Sequence, residues 1–214
     1  LGFAMVAVTL SFLVAFALAP RLCAERKTRG VFIQGVVRSN YAIFGIPLVL
    51  MMYPEGDTSV SALMVVAVVP IFNVMATVAL MAYNGQKMNG WRMVRGVLTN
   101  PLIISTVLGF VLWRLHWHFP AVLNTPLSKL GSIATPLALF LLGASLDFGK
   151  VRANARLLTL GVAGRLILVP LVFLSLAVAV GIRGVSLATL IAVFASPTAL
   201  SSYPMAQHQG GDTD

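Results

Sequence analysis

Arg38, Ser39, Asn40 and Tyr41 stand in a row inside a long apolar segment, and Ser196, Thr198, Ser201 and Ser202 crowd into another. A guanidinium, an amide and several hydroxyls at membrane depth have the chemistry to hold a small organic carboxylate. Neither stretch offers a nucleophile with its base, a pair of carboxylates or a set of metal ligands, so the chemistry indicated is binding rather than bond breaking. Both stretches also spell one pattern, S-x-x-A-x4-P. Ser39, Ala42 and Pro47 recur as Ser196, Ala199 and Pro204, each 157 residues further on, and Pro197 adds a second proline to the later copy.

The elements that carry these residues are membrane spans. Of 214 residues, 58% are hydrophobic and only 10% charged, and the mean hydropathy is +0.93; soluble domains carry roughly a quarter charged residues. The net charge of +9 raises nucleic acid as a partner. Its distribution excludes that, because the basic residues sit between apolar runs and not on one continuous face. Cys23 is alone, and His116, His118 and His208 form no ligand cluster with carboxylates, so neither a disulfide framework nor a metal site is expected. About 20 residues cross a hydrocarbon core. Seven apolar segments are long enough, near 1–20, 31–53, 60–83, 97–116, 127–147, 157–181 and 187–207.

Loops 21–30 and 84–96 and the stretch 148–165 hold eleven cations, Arg165 among them, while the alternate connections hold Arg114, Lys129 and Arg183. The positive-inside rule puts the basic loops in the cytoplasm of an inner-membrane protein, with the chain start outside and the chain end inside. The chain opens within an apolar run, without an initiator Met or a charged leader, which is the form of an interior piece of a longer protein.

Spans two and seven are expected to be broken near the bilayer centre, around 43–47 and 196–204, with the two breaks adjacent in space. A proline inside a helix removes a backbone donor and collides with the preceding turn, at about 3 kcal/mol or more. Gly45 ahead of Pro47, and Ser201 with Ser202 ahead of Pro204, ease the unwinding. Lipid cannot hydrate the freed groups, so such breaks persist only where protein or a water-filled cavity satisfies them. Paired interruptions in corresponding halves point to the binding site of a secondary transporter. An odd number of spans separates the two copies, so they run in opposite directions. Pro70 and Pro170 lack matching partners and read as simple kinks.

Several side chains keep two readings. Arg38 lies about eight residues into its span, some 12 Å from the cytoplasmic end at the usual helical rise; it either snorkels to the interface or grips an anion. Asn40 and Tyr41 touch substrate or satisfy freed backbone. Asn73 bonds across helices or reaches the substrate. Ser196, Thr198, Ser201 and Ser202 line the site or bond back to their own helix. Asp147, beside Lys150, reads as a solvated ion at the inner surface. No buried carboxylate marks a proton or sodium site. Ala4, Ala7, Ser11, Ala15 and Ala19 make a small-residue stripe for close helix packing. Trp91, Trp113 and Trp117 fall near span boundaries, and Asn100 with Pro101 reads as a helix entrance.

Phe32-Ile33-Gln34-Gly35, Arg38-Ser39-Asn40-Tyr41 and Phe44-Gly45-Ile46-Pro47-Leu48 together resemble the fourth-span signature of the auxin efflux carrier family. Asn100-Pro101, Pro136-Leu137-Ala138-Leu139 with Leu142-Gly143-Ala144-Ser145-Leu146, and Ala195-Ser196-Pro197-Thr198-Ala199 are similar to its later signatures. Gly210-Gly211-Asp212 resembles the loop before its last span. The resemblance implies a ten-span bundle of two inverted repeats whose fourth and ninth helices are broken and cross at the membrane centre. It also implies organic anions as the substrate class, since bacterial members are similar to malate and malonate carriers and plant members export auxin. The first two spans and the last of that pattern are absent from this sequence.

The fold class expected is therefore an all-α integral membrane protein, an inverted-repeat transporter bundle with two broken, crossing helices, showing seven spans of ten. Residues 1–83 would be the last three spans of the first repeat, 84–96 a cytoplasmic linker, and 97–214 the first four spans of the second. The function expected is secondary active transport of a small organic anion, a dicarboxylate or auxin-like carboxylate, by alternating access. Its site residues would be Arg38, Ser39, Asn40, Tyr41, Asn73, Ser196, Thr198, Ser201 and Ser202, with helix breaks at Gly45, Pro47, Pro197 and Pro204. A seven-helix receptor or sensor is the alternative; it matches the span count but predicts no internal repeat. Span seven has no Lys for a retinal Schiff base, and no hydrolase, zinc-protease or phosphate-loop motif occurs, so enzyme activity is not expected. The partners expected are the anion, a coupling ion (proton or sodium, left open), the lipid bilayer and, also left open, a second copy in a homodimer. No nucleic acid, cofactor or metal is expected.

Overall fold

Long runs of Leu, Val, Ala and Ile leave the backbone no hydrogen-bonding partner but itself, and in lipid only helices or closed barrels satisfy that condition. The computed structural model describes residues 1–56, 59–85, 90–117, 119–144 and 146–211, and those residues contain helices and no strand. Lys87 of loop 84–96, His118, Ser145 and Asp212, on which the sequence reading drew, lie outside the described residues. The helices are α1 (Gly2–Leu22), α2 (Arg26–Val37), α3 (Ile46–Met52), α4 (Ser59–Tyr83), α5 (Gly90–Leu98) and α6 (Pro101–Arg114). They continue as α7 (Ala121–Ala144), α8 (Phe148–Ala153), α9 (Ala155–Ala163), α10 (Val169–Ala179), α11 (Gly184–Ala195) and α12 (Ser202–His208).

Among the described residues, Gly2–Leu22, Arg26–Met52, Ser59–Tyr83 and Ala155–Ala179 are long and apolar enough to cross a membrane. They correspond to the expected spans one, two, three and six. Span four is divided between α5 and α6, which stop and start on either side of Thr99 and Asn100, and a residue before proline is disfavoured in a helix. Span five falls on α7, which starts earlier than expected and exposes every described side chain. Span seven is divided between α11 and α12. Exposed Val6, Leu13 and Val14 on α1, and Leu171 and Val172 on α10, form apolar outer faces that suit lipid. The chain is thus a multi-pass membrane protein.

The core lies where α1, α2, α4, α10 and α11 meet. The small-residue stripe of α1 faces it, with Ala4, Ala7, Ser11, Ala15 and Ala19 all buried. Between α2 and α4 the approach is closer still. A Cβ on Gly30 would lie 2.9 Å from the Ala79 carbonyl oxygen, so only glycine lets the two backbones touch there. Ser61 Oγ and Thr189 Oγ1, 2.7 Å apart, tie α4 to α11.

Two prolines are accommodated by one device. The N–H of Ile46 reaches back five residues to the Tyr41 carbonyl, and the N–H of Val169 does the same to Gly164. Each makes a π turn (Tyr41–Gly45 and Gly164–Leu168) that ends just before Pro47 or Pro170. The wider turn makes room for a ring that would otherwise strike the carbonyl four residues back. Pro47, expected to break span two, therefore sits inside a continuous helical run, and Gly45 forms part of the π turn. Pro170 shares that solution. Pro70 lies within the uninterrupted α4.

Candidate functional site

The interruption of the second span lies at residues 38–40, N-terminal to the expected 43–47. Arg38 closes α2 with extended backbone (φ −71, ψ 131), and Asn40 precedes the π turn at φ −85, ψ 43. Polar Ser39 and Asn40 offer the backbone local alternatives to a helix. The decisive contact, however, is tertiary: the Asn40 N–H donates to the Pro197 carbonyl at 2.9 Å. In the later span, the cause of the break is local. Pro197 bars the preceding residue from the helical region, and Ser196 is extended at φ −68, ψ 148. Helix resumes at Ser202, with Pro204 in the first turn of α12, where a missing N–H costs nothing.

The two breaks meet, and polar side chains bridge them. Arg38 Nη2 donates to Asn73 Oδ1 at 2.8 Å and to Ser201 Oγ at 2.9 Å. Its Nη1 donates to Ser202 Oγ at 3.4 Å and to Met205 Sδ at 3.3 Å. Gln34 Nε2 donates to the Ser202 carbonyl at 3.1 Å, and Thr198 Oγ1 to the Gly35 carbonyl at 2.7 Å. Arg38 is only 4% exposed, so it does not snorkel. Asn73, the cross-helix alternative for which is realised here, belongs to a longer chain of contacts. Its carbonyl accepts from Thr77 Oγ1 at 2.8 Å, and Thr77 Oγ1 accepts from Asn100 Nδ2 at 3.1 Å.

The remaining residues divide. Ser196 Oγ bonds back to the Ala192 carbonyl of its own helix. Buried Tyr41 sends its hydroxyl to the Ser61 carbonyl at 3.0 Å, away from the break; its ring occupies the space where a Cβ on Gly45 would fall. Gln34 Oε1, Arg38 Nε, Ser39 Oγ and Asn40 Nδ2 are buried without a hydrogen-bond partner. Four such atoms in a seven-residue stretch are unusual, since buried polar atoms are nearly always paired. Asp147 is exposed and caps α8, accepting from the N–H groups of Gly149 at 2.8 Å and Lys150 at 3.4 Å.

Arg165 departs most from the sequence reading, which counted it with the basic loop 148–165. It is 2% exposed, inside the Ala155–Ala179 helix. Its Nε donates to the Ser196 carbonyl at 2.9 Å, Nη2 to Val193 at 2.8 Å and Nη1 to Val37 at 3.3 Å. The available signal was its setting between Gly164 and a long apolar run, nine positions beyond Arg156. A cleft of ≈320 Å³ between α2 and α9 leads from Thr28 and Asn154 to Arg165, Pro197 and Thr198. Among the described residues no group of acidic, His or Cys side chains could hold a metal ion.

Two interrupted helices that touch at their breaks, inside a lipid-facing helical bundle with a polar centre, define a membrane protein of the transport class. The comparisons agree: the family model described as membrane transport protein matches residues 1–214, and the chain belongs to that family, the one that takes in the auxin efflux carriers. It is a family of transporters, not of enzymes. No curated protein and no solved structure matches the chain.

Proposed function

We propose that this chain belongs to a secondary active transporter that carries a small organic anion, a dicarboxylate or auxin-like carboxylate, across the cytoplasmic membrane by alternating access. One observation carries the reading: Arg38 is a buried cation with no counter-ion among the described residues. Its guanidinium meets only neutral partners. The described carboxylates, Glu25, Glu55 and Asp147, are all exposed. Burying an unpaired charge is costly, and an anionic ligand offsets that cost. A carboxylate fits the guanidinium fork. The unpartnered Ser39 Oγ and Asn40 Nδ2 stand beside it with donors to spare.

An inverted repeat is part of the proposal. Shifted by the same 157 residues, Gly2–Leu22 ends on Ala179, the last residue of α10, and Asn40 falls on Pro197, its hydrogen-bonding partner across the crossing. The reciprocal bond is missing because Pro197 has no N–H to give; the Asn40 carbonyl instead accepts from Ile43 and Phe44. The test is uptake by the full-length protein in proteoliposomes, comparing labelled dicarboxylates and monocarboxylates with an organic cation of equal size. Saturable uptake of a carboxylate but not of the cation is the result expected. Equal permeation of both, or of neither, would refute anion transport.

A further inference from the structure

Arg165 differs from Arg38 in the kind of partner it holds: its guanidinium donates to backbone carbonyls, which cannot turn aside for an anion, whereas the partners of Arg38 are side chains, which can. Val193 and Ser196 lie at the C-terminal end of α11, and Val37 ends α2. The three donations at 2.9, 2.8 and 3.3 Å therefore join the ends of both half-helices that stop at the crossing. Such ends carry carbonyls without an intrahelical partner, and a partial negative charge. Two of them brought together in an apolar interior repel each other and leave acceptors unpaired. A planar guanidinium with five donors in a fixed fork answers both problems at once; an ammonium on a flexible stem does not. Arg165 is the second residue of the π turn that accommodates Pro170, so the proline and the clamp share one local distortion.

We propose that Arg165 is the positioning residue of the crossing. It locks the ends of α2 and α11 together, and so sets the distance at which Arg38, on one broken helix, meets Ser201 and Ser202 on the other. The division of labour is then plain: one buried arginine holds the frame, the other faces the ligand. Only the ligand part of this inference rests on the transport reading.

The test uses the full-length protein in lipid nanodiscs with Cys23→Ala, Gly35→Cys and Thr198→Cys. Thr198 Oγ1 lies 2.7 Å from the Gly35 carbonyl, and a Cβ on Gly35 meets nothing within 4 Å, so thiols at the two positions are near neighbours with room for a short bifunctional thiol reagent between them, and its bridging reports whether the two broken helices stay in register. Crosslinking by that reagent should be fast with Arg165 present and slow by at least about tenfold in Arg165→Lys, and without the two cysteines the same substitution should weaken dicarboxylate binding about tenfold. Arg156→Lys, exposed on the same segment, should change neither. If Arg165 only stabilised the fold, Arg165→Lys would lower yield or melting temperature and leave both readings of the folded fraction at wild type; that outcome overturns the proposal. Should Arg165→Lys not fold, Arg165→Gln is read in the same way. Slowed crosslinking in a protein that binds no carboxylate even as wild type would sink the transport reading and leave the role of Arg165 standing.

Discussion

Arg38 and Asn40 differ in what they already hold, and that difference sets what their removal does. Asn40 Nδ2 has no partner, so Asn40→Ala should leave stability nearly unchanged. It should weaken carboxylate binding by roughly ten- to a hundredfold, the effect of one hydrogen bond to a charged group at about 1.5–3 kcal/mol. Equilibrium binding of a labelled dicarboxylate to purified protein checks this, with Lys27→Ala, exposed near the start of α2, as the neutral control. Arg38→Lys should bind poorly as well, because an ammonium cannot reproduce a fork that reaches Asn73, Ser201 and Ser202 together. Ser196→Ala is the contrasting case. Its hydroxyl bonds its own helix, so affinity should stay within about threefold of wild type.

Among the elements, the two broken helices are interrupted for different reasons, and only one reason is written locally. Pro197 dictates an extended Ser196, and the position of that break is legible from the sequence. Pro47 gives the opposite lesson: it drew the expected break to 43–47, but a π turn absorbs its ring and the chain comes apart earlier, where Asn40 finds Pro197 across the crossing. A tertiary hydrogen bond of this kind leaves no periodicity to read. Arg165 was hidden similarly, since its three acceptors come from segments far apart in sequence. Pro47→Ala should therefore leave transport within about threefold, while Pro197→Ala, which lets α11 run on, should lower it at least about tenfold. Uptake at matched expression in proteoliposomes distinguishes them. Gly30→Ala should destabilise the α2–α4 contact by about 1–3 kcal/mol, read as a lower melting temperature, because the obstructing atom is backbone and cannot turn aside.

For the whole molecule, moving Arg165 into a span leaves ten cations on the basic side against three on the other, with Arg38 and Arg165 in the interior. By the positive-inside rule that asymmetry predicts the basic loops on the cytoplasmic side. A membrane-impermeant thiol reagent applied to intact cells should reach Lys27→Cys and Glu55→Cys from opposite sides; labelling of both from the same side would overturn the orientation. The interior charge balance is the central claim, and one isosteric change addresses it. Asn73→Asp places a carboxylate where Asn73 Oδ1 now lies, 2.8 Å from Arg38 Nη2. If Arg38 is a buried cation awaiting an anion, an internal counter-ion should hold or raise the melting temperature and weaken binding of a labelled dicarboxylate by at least about tenfold. Wild-type dicarboxylate affinity in Asn73→Asp would contradict the account.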